Sequence, residues 1–270
     1  MTLFINVIHN EEKERLEYLR PILSNFTISI PVKVAEISDQ TLCRINVRAL
    51  ILRKATLQLM RIRWRRYVGI RPFYKNLNLL HEVSSILNIL FSKKVSRVEK
   101  SRASIEDVLS KKHHAAIKKF CEEGKDGDYV LVLESDARIP SDKYLSGCID
   151  HIRARESENT LYLLTFPFSI NQLGVDQSDF NEVTLDEKIH LVYPKLFLNT
   201  TAAYLMTYDL ARALLGEFEK PTNGLLKPAD LLMNDYFRNV WKKFPDTKTF
   251  VFIPSPIENG SLTGAYPSTI

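Results

Sequence analysis

Five apolar residues in a row, Tyr129-Val130-Leu131-Val132-Leu133, run straight into Glu134-Ser135-Asp136. The turn Asp126-Gly127-Asp128 precedes them. A continuous apolar run of this kind predicts a strand buried on both faces of a parallel sheet. The two acids then stand at its carboxyl end, where open α/β sheets bind their ligands.

The neighbouring segments predict the same class. Leu3 to Ile8 is a short apolar run, and Lys13 to Leu23 carries Leu16, Leu19 and Leu23 at helical spacing. Asn10 is the expected N-cap, with acidic residues in the first turn. Ile30 to Ala35 is a second strand, so the order is strand, helix, strand. Ser104 to Glu123 is expected to be helical, opened by Ser104 with Glu106 and Asp107 and closed by Gly124. Further expectations are a strand over 161–168, a strand-turn-helix over 202–215, a helix over 228–243, a strand over 250–253 and a Gly/Ser/Pro-rich tail. The fold class is α/β with a mostly parallel sheet flanked by helices. A chain of 270 residues with 45% apolar content suits one large domain, 1–270.

Several classes are set aside. No run of about 18 apolar residues predicts a membrane-spanning helix. The start lacks the basic, apolar and small-residue regions of a signal peptide and is taken as a strand. Cys43, Cys121 and Cys148 form no metal-binding spacing, which suggests free thiols in a reducing compartment. The expected location is cytoplasmic, with possible contact at the inner membrane face.

Residues 44–75 stand apart. They carry ten Lys or Arg (among them Arg61, Arg63, Arg65 and Arg66) and no acid, interleaved with Leu50, Ile51, Leu57, Met60, Ile62 and Trp64. A basic amphipathic helix can lie on an anionic membrane or contact phosphates; an ordinary solvated helix face is the plainer alternative. Residues 44–100 are expected to form a helical enlargement of the domain.

In an extended chain Glu134 and Asp136, two residues apart, share a side. They can hold one hard cation, Mn²⁺ or Mg²⁺, with a diphosphate completing its oxygen ligands. The cation would neutralise charge on a departing nucleoside diphosphate. A plain acidic turn after a strand is the alternative.

The stretch 110–139, SKKHHAAIKKFCEEGKDGDYVLVLESDARI, resembles glycosyltransferase family 25, the lipopolysaccharide-biosynthesis and collagen-galactosyltransferase type. His113 matches the family's Ser-His histidine, with Lys112 where the serine stands and Ile117 where an aromatic is usual. Leu133-Glu134-Ser135-Asp136 is similar to its Leu-Glu-Asp-Asp, with Ser135 replacing the middle acid. Phe4 to Leu23 looks like the opening strand and helix, with Arg15 at the family arginine. Asn199 to Met206 looks like its Gly-Thr-Ala-Gly-Tyr segment, Pro228-Ala229-Asp230 like its Pro-x-Asp, and Ser268-Thr269-Ile270 like its Ser-Ser-Ile end. Residues 44–100 lie largely outside the resemblance.

The resemblance implies a GT-A fold and transfer of a sugar, with inversion, from a nucleotide-sugar donor, expected to be a UDP-sugar. The acceptor would be a hydroxyl of a glycan or lipid-linked glycan, in surface polysaccharide or lipopolysaccharide biosynthesis. It implies donor binding by Arg15, His113, Glu134 and Asp136, and metal binding by Glu134 and Asp136. Asp230 is the candidate general base, since an inverting transfer needs a carboxylate near the acceptor hydroxyl; a helix N-cap is its alternative. His114 is a second possible donor contact, Arg138 a surface residue or phosphate contact, and Tyr204 a core residue. Glu258 and Asn259 lie in a tail that could close over the donor. No nucleic acid is expected.

A competing reading is an inactive GT-A-like protein that binds membrane or nucleic acid through 44–75; it predicts affinity that falls steeply with salt. Another metal-dependent nucleotidyl or phosphoryl transferase would also suit two acids, but there is no Gly-rich phosphate loop with Lys-Ser/Thr.

Overall fold

The computed structural model describes residues 1–9, 12–26, 28, 30–38, 45–55, 86–154, 159–165, 181–185, 188–192, 201–220, 229–261 and 263–264. The strands are β1 (Leu3–Ile8), β2 (Val32–Ile37), β3 (Tyr129–Glu134), β4 (Ala137–Arg138), β5 (Thr160–Leu163), β6 (Asn181–Leu185), β7 (Lys188–Val192), β8 (Ala203–Thr207), β9 (Lys248–Ile253) and β10 (Glu258–Asn259). The helices are α1 (Lys13–Ser24), α2 (described over 47–55), α3 (described over 86–91), α4 (Lys93–Glu123), α5 (Asp142–Ala154), α6 (Tyr208–Phe218) and α7 (Ala229–Lys243).

One eight-stranded sheet has the order β2-β1-β3-β8-β5-β9-β7-β6, and β10 with β4 makes a small second one. β1 is parallel to both β2 and β3. β8 runs antiparallel between β3 and β5, and β7 is antiparallel to both β9 and β6. All other strands of the sheet point one way, so it is a mostly parallel mixed sheet.

The strand alternation explains the layers. Leu3, Ile5 and Val7 of β1 and Leu131 and Leu133 of β3 face one core, with Leu16, Leu19 and Leu23 of α1 and Leu145, Ile149 and Ile152 of α5. Phe4 and Ile8, with Val130 and Val132, face the other, with Ala116, Ile117 and Phe120 of α4, Leu210 and Leu214 of α6, and Phe237 and Val240 of α7. Both faces of the central strands are covered, as the apolar run at 129–133 predicts.

Several boundaries differ from expectation. Glu12 occupies the N-cap position of α1 without a capping side-chain hydrogen bond, and Asn10 lies outside the described residues. α4 starts at Lys93, where Ser92 accepts from the Val95 amide at 3.4 Å. Ser104 is thus inside the helix, because no Gly or Pro interrupts 93–103. Gly124 does end α4: a Cβ there would sit 2.8 Å from the Phe120 ring. β5 stops at Leu163, and 166–168 lie outside the described residues. β8 passes into α6 with no intervening turn; the Thr207 hydroxyl accepts from the Thr160 amide at 3.1 Å rather than capping.

Candidate functional site

The chain leaves β1 for β2 on one side and reaches β3 on the other. The carboxyl ends of β1 and β3 therefore form a topological switch point, the place where such sheets bind ligands. His9, Glu134, Ser135 and Asp136 stand there.

α4 brings His113 to this point. Its register against β1 is fixed at three levels. Lys112 Nζ donates to the His9 carbonyl at 2.5 Å, Asn6 Nδ2 donates to the Ala116 carbonyl at 2.8 Å, and the Phe4 and Phe120 rings meet edge-on at 5.1 Å. Fully buried His113 places Nε2 3.1 Å from Glu134 Oε1 and Nδ1 2.9 Å from the Tyr204 hydroxyl. An ionised carboxylate only accepts, so Nε2–H donates to Glu134 and, in the neutral ring, Nδ1 accepts from Tyr204. Burial, and then the Glu134 charge, hold the Tyr204 phenol well above its ordinary range, which keeps it a donor. Thr201 also donates to Glu134 Oε1.

Asp136 is placed differently. The extended geometry expected to set it beside Glu134 ends at Glu134, and Ser135 and Asp136 form a turn. The Asp136 carbonyl accepts from the Gly260 amide at 2.7 Å, and β10 pairs with β4 immediately after. Burial, then the Glu134 charge, raise the Asp136 carboxyl above the usual carboxylate range; a Ser261 hydrogen bond and Arg15 oppose this without cancelling it. Its Oδ1 is buried with no hydrogen-bond partner. A carboxylate kept uncomfortable by its surroundings is a common mark of a functional position.

Ser135, buried, donates its hydroxyl to Glu12 Oε2 at 3.2 Å, and Glu12 Oε1 lies 3.6 Å from Arg15 Nη1. Buried Arg15 is thus held among acidic side chains. Tyr18 secures the exit of the turn, accepting from the Ile139 amide at 3.1 Å and donating to its carbonyl at 3.2 Å.

The fold brings Arg15, His113, Glu134 and Asp136 together. Asp230 lies half-buried in the first turn of α7, a helix that packs on α4. His114 faces away: its ring stacks on Phe218 at 4.9 Å, and burial lowers its pKa. Tyr204 is core, as expected, but also a hydrogen-bonding one. Arg138 lies 6.0 Å from the centre of the Tyr18 ring. Glu258 and Asn259 form a paired strand rather than a loose tail. Cys121 and Cys148 are not joined in a disulfide, and burial lifts Cys121 to about 11. Cys43, Asn199, Thr200, Pro228 and 268–270 lie outside the described residues.

Of the basic segment, Arg53 is buried in an ion pair with Glu106 and pins α2 to α4; it faces no solvent anion. Arg61, Arg63, Arg65 and Arg66 lie outside the described residues. No described helix is long and apolar enough to cross a membrane.

Glu12, Lys112, Thr201 and Ser261 are site residues that sequence reasoning missed. All four sit inside stretches that resemble the family, but none stands at a motif position that the resemblance assigns to the site. A separate cavity of about 750 Å³ opens near Asp128 and Tyr208 at the other end of β3. No orphaned buried polar atom faces it among the described residues.

No protein-family model matches the chain, and no curated protein matches it significantly.

Proposed function

We propose that this chain is a glycosyltransferase of the GT-A type, similar to family 25, that moves a sugar from a nucleotide-sugar donor to a hydroxyl of a glycan or lipid-linked glycan. The observation that carries this reading is the buried, partnerless Oδ1 of Asp136 beside the Glu134 charge at the β1/β3 switch point.

That oxygen fits a divalent cation. A hard ion would relieve the buried Asp136 carboxylate beside the Glu134 charge. Among the described residues no group of three or more His, Cys, Asp or Glu is placed to hold a metal ion. The reading needs only Asp136 and Glu134 as protein ligands to Mn²⁺ or Mg²⁺, with the remaining coordination positions taken by phosphate oxygens. The ion would supply charge neutralisation for a departing diphosphate.

The chain's own residues orient and exclude. His113 and Thr201 fix one oxygen of Glu134, so its carboxylate is preorganised rather than mobile. The Gly260 amide and Ser261 fix Asp136. Arg15, 3.6 Å from Glu12, supplies positive charge that acts on Asp136. Asp230, in the first turn of α7, is the residue assigned to take the acceptor proton, giving inversion. A UDP-sugar donor, a role in polysaccharide or lipopolysaccharide biosynthesis and a cytoplasmic location complete the proposal.

A second reading, an inactive domain of the same fold that binds membrane or nucleic acid, draws on one observation. Glu134 Oε1 is already satisfied by two protein donors. Release of nucleoside diphosphate from a panel of nucleotide-sugars, with Mn²⁺ and a glycan acceptor mixture, separates the two. The transferase reading expects release with one donor class, abolished in Asp136→Asn. Absence of release across the panel, with the protein folded, favours the second reading.

A further inference from the structure

α4 is 31 residues long, about 46 Å, while β3 is six residues, about 20 Å. The matched levels Lys112–His9, Ala116–Asn6 and Phe120–Phe4 show that α4 runs antiparallel to β1. Its residues before 112 therefore project past the carboxyl ends of the strands, on the side where the candidate site lies. Val98 is roughly 22 Å beyond His113 along the helix.

This overhang is built on one face and bare on the other. Inward, Leu50 of α2, Ile89 of α3 and Ala103 of α4 form a small buried cluster, and Arg53 pairs with Glu106 beside it. Outward, Leu87, Leu90 and Phe91 of α3 and Val95 and Val98 of α4 are exposed, Phe91 at 83% and Val98 at 60%. Val95, Val98 and Arg102 share a helical stripe by their spacing of three and four. Lys93, Lys94, Arg97 and Arg102 surround the apolar side chains and are all exposed.

We infer that this overhanging face of α3 and α4 is a docking surface for an anionic lipid bilayer. Exposed apolar side chains ringed by long cationic ones match the boundary between acyl chains and acidic headgroups: the former enter, the latter reach the phosphates. The charge argues against a second copy of the chain. A two-fold contact would set these four cations against their own equivalents. The surface differs from the 44–75 segment expected from sequence and stands independently of the transferase reading. Its projection on the side of the site would present a lipid-borne acceptor to that site.

Co-sedimentation of the full chain with phosphatidylcholine vesicles, with and without phosphatidylglycerol, tests this. The expected result is binding to the anionic vesicles only, weakened more than about tenfold by Phe91→Ser/Val98→Ser and likewise by Lys94→Gln/Arg97→Gln. Because these side chains are exposed, thermal midpoints should stay unchanged. Equal binding to neutral and anionic vesicles overturns the inference. So does undiminished binding by Phe91→Ser/Val98→Ser. A wild-type dimer that becomes monomeric in that variant, with no vesicle binding by either, overturns it in favour of self-association. Nucleotide-dependent stabilisation, read on the same variants, reports on the transferase reading separately.

Discussion

Nε2 of His113 lies 3.1 Å from Oε1 of Glu134, across the gap between α4 and the end of β3. Because Tyr204 holds the other ring nitrogen at 2.9 Å, the imidazole is fixed in orientation and tautomer, and it fixes the carboxylate in turn. The acid at the head of the site is thus set by residues from α4, β8 and the segment before β8.

Tyr204→Phe should report on this chain of contacts. It keeps the packed ring and deletes the donor to His113 Nδ1. We expect a loss of about 1–3 kcal/mol in stability from the unsatisfied buried nitrogen. Metal-dependent nucleotide affinity should fall roughly 10–100-fold, as for other outer-shell partners. Chemical denaturation and calorimetric titration check the two parts; unchanged affinity would detach Tyr204 and His113 from the site.

Asp136→Asn should make the metal-free protein more stable at neutral pH, by about 1–3 kcal/mol. The sign follows from the raised carboxyl pKa. A raised folded-state pKa favours folding below the unfolded value of about 3.9, and that contribution is lost as pH rises through the folded value. The gap between variant and wild type should therefore close on acidification. Denaturation midpoints at acidic and neutral pH measure it.

Ser135→Asp restores the acid of the Leu-Glu-Asp-Asp pattern but should cost stability here. Ser135 is buried and donates to Glu12 at 3.2 Å, so a carboxylate at 135 would face another. We expect a loss of about 1–3 kcal/mol without metal, recovered in large part by adding Glu12→Gln. A double-mutant cycle on thermal midpoints tests the coupling.

Glu217 predicts an acid-sensitive joint between α6 and α7. Burial alone would raise its pKa, but Lys220, Lys243 at 2.7 Å and Asn239 at 3.1 Å together hold it down to about 2. Its contribution is present above the unfolded value of about 4.3 and is lost as pH falls toward about 2. Glu217→Gln should cost about 1.5–3 kcal/mol at neutral pH and much less near pH 2.

The layered fold was legible because β1 and β3 are apolar on both faces, and α7 starts within one residue of the expected position. Strand direction was not: the reversal of β8 between β3 and β5 leaves no mark in residue periodicity. The extent of α4 was hidden because Ser104 imitates a cap while the acting cap is Ser92. At the site, the local motif exposed Glu134, Asp136 and His113. The contacts that fix this end of the sheet come from far along the chain: Glu12 is 123 residues from Ser135, His9 is 103 from Lys112 and Thr201 is 67 from Glu134. Such pairings are set by packing, not by spacing.

The most direct measurement is the thermal midpoint of wild type and Asp136→Asn with nucleoside di- and monophosphates, with and without Mn²⁺. Ligand at 100 times its Kd stabilises the native state by about 2.7 kcal/mol, roughly 5–10 °C for a chain of this size. The account predicts such a rise with one nucleoside diphosphate, only with Mn²⁺, and lost in Asp136→Asn. A rise that needs no metal, or that survives in Asp136→Asn, would contradict it.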